Sequence, residues 1–202
     1  MKKIAIVLIV LLFTLASLSA SMLGDSVQKG KFSVGASFGT SGSSEKSFNG
    51  SKSVAVKTGN FGFVGRLRFD AMIAEKQSTT VMASIDKPNR TVLASSYEEA
   101  ENSADPVYVK LFIGISQHSV SSDNLLIAVG VGPEVAYDFK TKMMSAGPAT
   151  YIRTSYAITG TRLTFDSTAK GSATWQFKDI GALKDGRLCL DGDVSFGFTY
   201  YF

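Results

Sequence analysis

Asp193-Val194-Ser195-Phe196-Gly197-Phe198-Thr199-Tyr200-Tyr201-Phe202, the last ten residues, decide how the chain is read. Apolar side chains recur at Val194, Phe196, Phe198, Tyr200 and Phe202, with small or polar residues mostly between them. A period of two belongs to a β-strand with one apolar face. A strand that ends on aromatic residues without a polar tail is poorly suited to water. It suits the closing strand of a barrel whose outer face meets lipid. The five apolar positions are expected on that outer face. Thr199, on the other face, is expected to matter far less to assembly than Phe202.

The amino terminus supports export. Met1-Lys2-Lys3 is a short basic region, Ile4 to Leu15 is apolar apart from Thr14, and Ala16-Ser17-Leu18-Ser19-Ala20-Ser21 offers small residues for a signal peptidase. That is the layout of a cleavable secretory signal, expected over residues 1–20, with a barrel domain over 21–202. The apolar run falls short of the ~20 residues that a spanning helix needs. The formal charge of +4 falls to +2 without Lys2 and Lys3. No basic cluster is present, so nucleic acid is not an expected partner. The single Cys189 cannot form an internal disulfide.

Working back from the carboxy terminus, the same alternation recurs. Lys31–Thr40, Phe61–Ile73, Pro106–His118, Leu125–Phe139 and Ala149–Thr159 read as strands. Thr79–Asp86 is a weaker one, Thr161–Asp166 begins a seventh and Arg187–Phe202 is the eighth. Ser41–Lys57 reads as a polar loop or, around Val54 and Val56, as an extension of strand; Lys87–Asp105 reads as a long polar loop, Ser119–Asn124 as a tight turn and Thr141–Pro148 as a loop. Ser167–Gly186 reads two ways, as loop or as further strand, which leaves ten strands as the alternative to eight. The expected class is all-β: a transmembrane antiparallel up-and-down barrel. Long loops then lie outside the cell, and short turns with both termini lie in the periplasm.

Lipid offers no hydrogen-bond partner, so a sheet at membrane depth must close on itself. Alternation then assigns a second face to the lumen. That face holds Arg66, Arg68, Lys110, Arg153 and Arg162 beside Asp70, Glu134, Asp138, Asp166, Asp191 and Asp193. An eight-stranded interior is about wide enough for side chains to fill. The two signs nearly balance, so these residues are expected to pair and restrict flow.

The signal, the eight alternating segments and the terminal Phe-Gly-Phe-Thr-Tyr-Tyr-Phe together resemble the small outer-membrane barrels of the OmpA/OmpW-like superfamily. The resemblance covers the whole exported chain and is carried by pattern rather than by a site motif. It implies location in the bacterial outer membrane, outer-membrane lipid as a partner and a terminal strand read by the barrel-assembly machinery. No peptidoglycan-binding domain is expected after the barrel, unlike full-length OmpA. OmpW-like members are associated with passage of small hydrophobic molecules, so the resemblance points first to a narrow channel or transport barrel for small or hydrophobic solutes. The alternative is a structural or adhesin-like surface barrel whose loops meet a host surface molecule.

Enzymatic readings are weaker. The lone His118, in Ser116-Gln117-His118-Ser119, loosely resembles the His and Ser of outer-membrane lipid A deacylases. The expected topology puts it at the periplasmic turn, so it reads as a solvated turn histidine rather than a base. A hydrolase needs nucleophile, base and orienting group in mutual reach. Asp191-Gly192-Asp193 places two carboxylates on one strand face, better suited to lumen arginines than to a hard cation. Gly130-Val131-Gly132-Pro133 lacks the third glycine and the helix of a dinucleotide site. No catalytic residue, cofactor or metal is expected.

Overall fold

In a computed structural model, the chain is described over residues 32–49, 52–87, 90–91, 107–122, 124–139, 142–158, 161–177 and 187–202. The expected signal over residues 1–20 lies outside the described residues. Eight long strands follow one another: β1 Phe32–Asn49, β2 Lys52–Ala74, β3 Gln77–Lys87, β4 Tyr108–Ser122, β5 Leu125–Asp138, β6 Met143–Ala157, β7 Leu163–Phe177 and β8 Arg187–Tyr201. A two-residue piece, Arg90–Thr91, continues the course of β3 along β2. Each strand pairs antiparallel with its neighbour in sequence, and β8 pairs with β1, so the sheet is a closed eight-stranded up-and-down barrel.

Closure runs from Ser33 opposite Tyr201 to Ser47 opposite Arg187, and is sealed at the terminus by the Phe202 amide donating to the Phe32 carbonyl at 2.9 Å. The period-two sequence sets the two faces. Along the last strand Val194, Phe196, Phe198, Tyr200 and Phe202 point outward and are exposed, while Ser195, Thr199 and Tyr201 are buried. The outer surface carries aromatic pairs across neighbouring strands, including Phe32 on Phe69 and Phe165 on Phe198, with centroids 5.9 and 5.6 Å apart. Such a belt cannot be covered by the chain itself, because the sheet is one layer thick. It needs an apolar surrounding.

Several segments are more regular than their composition suggests. Ser41–Lys57 is not a loop: β1 and β2 pair out to Asn49 opposite Lys52, as a hairpin longer than the neighbouring β3. Thr141–Pro148 is mostly strand, because β6 begins at Met143 after a turn in which Lys142 takes φ 57°. Ser167–Gly186 is resolved in favour of strand up to Phe177, which fixes the count at eight rather than ten. Between Ser122 and Leu125 the expected tight turn is shorter than Ser119–Asn124.

The ladder is interrupted beside two prolines. Pro133 and Pro148 stand opposite each other in β5 and β6, and neither has an N–H to donate. Beside them, the β4/β5 register skips from Phe112–Glu134 to Ile115–Val131. The β6/β7 register likewise skips from Ala146–Trp175 to Ala149–Ser172.

Glycine is required where a ring lies against the wall. A Cβ at Gly130 would come 2.1 Å from the Tyr151 ring, whereas one at Gly171 would meet nothing nearer than a carbonyl at 3.9 Å. Gly130→Val is therefore expected to destabilise the barrel by about 1–3 kcal/mol through overpacking. Gly171→Ala should leave stability nearly unchanged. The temperature at which the compact band is lost on a heat-modifiability gel measures both.

Candidate functional site: the charged lumen

The lumen is filled by side chains rather than open. On β3, β4 and β6 a large apolar or aromatic residue — Met82, Phe112 and Tyr151 — separates the polar residues nearer the termini from those nearer the β1/β2 hairpin. These three and Ala149 form a buried cluster, and Phe112 meets the Tyr151 ring edge-on at 5.7 Å. The charged residues divide accordingly into two groups.

Nearer the termini, Asp70 is the centre. Its carboxylate accepts from Arg68 Nε at 3.0 Å, Arg153 Nη1 at 2.8 Å, Ser33 at 3.1 Å and Thr80 at 2.7 Å. Arg68 also reaches Asp166 at 2.8 Å, and Asp166 accepts from Thr164 and Thr199. Two arginines thus face two aspartates, all nearly inaccessible to water. Thr80 carries the network inward through Ser116 to the hydroxyl of Tyr151.

Nearer the hairpin, Lys110 lies between Asp86 at 2.7 Å and Asp191 at 2.9 Å, Arg66 pairs with Asp193 at 2.5 Å, and Lys170 pairs with Glu134. Asp138 is buried on the same face, near the end of β5. None of the ion pairs between described residues joins the two groups.

Ten of the eleven charged residues expected in the lumen therefore line it, with Asp191 and Asp193 only partly buried. Arg162 does not. It sits exposed in the turn before β7, where alternation has already ended.

One other expectation needs correction. His118 is not a solvated turn residue: it lies on β4 facing the lumen, buried, with Nε2 2.7 Å from Ser78 Oγ. Ser78 is itself wholly buried, so this pair offers no accessible nucleophile. Thr199 faces the lumen, as alternation expects, and its hydroxyl joins Asp166 to Arg68. Lys170 and Asp86 belong to the network as well. The signal for Lys170 was the unbroken polar alternation Thr164, Asp166, Thr168, Lys170, Ser172, Thr174 and Gln176, all buried along β7.

No family model matches the chain, and no curated protein matches it. Solved structures do resemble it. The outer membrane protein AlkL, determined by solid-state NMR in lipid bilayers, superposes with a TM-score of 0.54 at 14% identity, covering 92% of this chain and 97% of that one. The outer membrane protein OprG of Pseudomonas aeruginosa gives 0.53 at 12%, covering 87% and 99%. Neisserial surface protein A gives 0.51 at 16%, covering 85% and 97%. The fold is that of the small outer-membrane barrels. At these identities the likeness is one of architecture alone.

Asp70→Asn should strand Arg68 and Arg153 together. Breaking a buried pair from one side costs about 3–5 kcal/mol. Arg162→Gln, at an exposed turn, should stay within about 0.5 kcal/mol of the parent. Urea unfolding of each protein in detergent or lipid vesicles reads both changes.

Proposed function

We propose that the chain is an integral protein of the bacterial outer membrane that acts as a closed anchor, holding the β1/β2 hairpin and the connections on its side at the cell surface. The observation that carries this reading is the filled lumen. Ion pairs occupy both halves, and the cluster of Met82, Phe112, Ala149 and Tyr151 lies between them. An aqueous path would have to break buried pairs on the way. The location rests on the outward apolar belt, which only lipid can cover at this extent, and on the expected export signal. In this reading Val194, Phe196, Phe198, Tyr200 and Phe202 also form the strand read by the assembly machinery. The turn at 75–76 and the short connection from Ser122 to Leu125 lie on the termini side and face the periplasm.

A second reading keeps transport of hydrophobic solutes. What favours it is the seam at Pro133 and Pro148, where the wall has fewer cross-strand hydrogen bonds than elsewhere. A solute on that route passes through the wall rather than along the axis, so it needs no open pore.

Planar-bilayer recording separates these readings from a general porin. The anchor reading expects no stable channel from the wild-type protein, and a raised cation leak once Arg66→Ala and Arg68→Ala leave lumen acids unpaired. A large, stable wild-type pore that the double substitution leaves unchanged would reject it. Uptake of a hydrophobic probe into cells carrying the protein tests the second reading, which expects uptake to fall when a disulfide is engineered across the proline seam.

A further inference from the structure

Arg153 uses only half of its guanidinium. Nη1 donates to Asp70 at 2.8 Å, but Nε and Nη2, buried within the barrel, have no hydrogen-bond partner. These two nitrogens form the edge whose parallel N–H groups match two oxygens of one anion. An unpaired guanidinium edge in a buried setting is costly.

Two hydroxyls nearby are in the same condition. Ser155, two residues on along the same face of β6, and Tyr201, near the end of β8, have buried oxygens without partners. Arg153, Ser155 and Tyr201 are only 0%, 1% and 6% exposed. Tyr201 packs against Leu126 and Ala157. Leu126 is the cross-strand partner of Ser155, and Ala157 lies two residues beyond it. The ring therefore reaches over to the wall that carries Ser155 and Arg153. The apolar trio Leu126, Ala157 and Tyr201 clusters on the termini side of these groups.

We propose that the Nε/Nη2 edge of Arg153, with the hydroxyls of Ser155 and Tyr201, is a binding site for a small oxyanion of the carboxylate or phosphate kind, entered from the termini side past Tyr201. Donors dominate: one cationic edge and two hydroxyls on adjoining stretches of the lumen wall lack partners, and the nearby carboxylates are engaged by other groups. Asp70 is already engaged by Arg68, Arg153, Ser33 and Thr80, and Asp166 by Arg68, Thr164 and Thr199. The site is independent of whether the barrel anchors or transports.

The test is an NMR titration of the full mature protein in detergent or nanodiscs, following the Arg153 Nε–H resonance as acetate, phosphate or chloride is added at constant ionic strength. The expected result is a saturable shift with acetate or phosphate, weaker with chloride. Tyr201→Phe and Ser155→Ala should each weaken the apparent affinity by about tenfold or more, the loss of a hydrogen bond to a charged group. No saturable shift in the wild-type protein would overturn the proposal. So would an equal response to chloride, or affinities unchanged in both substitutions. Should one variant fail to fold, the wild-type titration and the other variant still decide.

Discussion

Everything in this structure depends on the ladder that joins β8 to β1. A one-layer sheet in lipid has no water to satisfy an open edge, and each unpaired amide at membrane depth costs several kcal/mol. The ladder from Ser33–Tyr201 to Ser47–Arg187 removes both edges at once. Closure then fixes which face each residue takes, because one step along a strand reverses the side chain. The apolar set beginning at Phe32 and ending at Phe202 goes to the outside, and the polar set has only the lumen left.

That inversion explains why the interior is built from charges. In a soluble protein of this size, Leu, Ile and Phe would form the core. Here most of those among the described residues are on the outer surface, including Leu67, Ile113, Phe165 and Phe196, and the enclosed space receives Arg, Lys, Asp, Glu and hydroxyls. Charges withdrawn from water need partners and filled hydrogen-bond capacity. Asp70, accepting from two arginines and two hydroxyls, meets that demand. Met82, Phe112 and Tyr151 supply what apolar core the lumen has.

The fold was legible because the strand period is short and repeated. Alternation in Phe61–Ile73 and Val107–Ile115 assigns both faces with no knowledge of neighbours. What failed were segments whose order comes from the ladder rather than from their own composition. Ser41–Lys57 is polar in composition, yet β1 and β2 still pair there. Met143–Pro148 contains Gly and Pro, which suggest a loop. Pro148 lies in a strand all the same, opposite Pro133, and the ladder is interrupted beside the pair. His118 was misplaced for a simpler reason: the even-numbered lumen face that starts at Tyr108 continues through Ser116 to His118, but a lone histidine near a polar stretch looks solvated. Individual ion-pair partners, such as Arg153 with Asp70, were not legible, since they join strands far apart in sequence.

The central claim is that the apolar face meets lipid while the charged face is sealed from it. Paramagnetic broadening by a doxyl-labelled lipid in nanodiscs tests it directly, with assigned side-chain methyls as reporters. The account predicts strong broadening at Leu67, Ile113, Val131 and Val194, and little at Met82, Ala128, Ala136 and Thr199. Equal broadening of the two sets, or broadening of the second set alone, would contradict it.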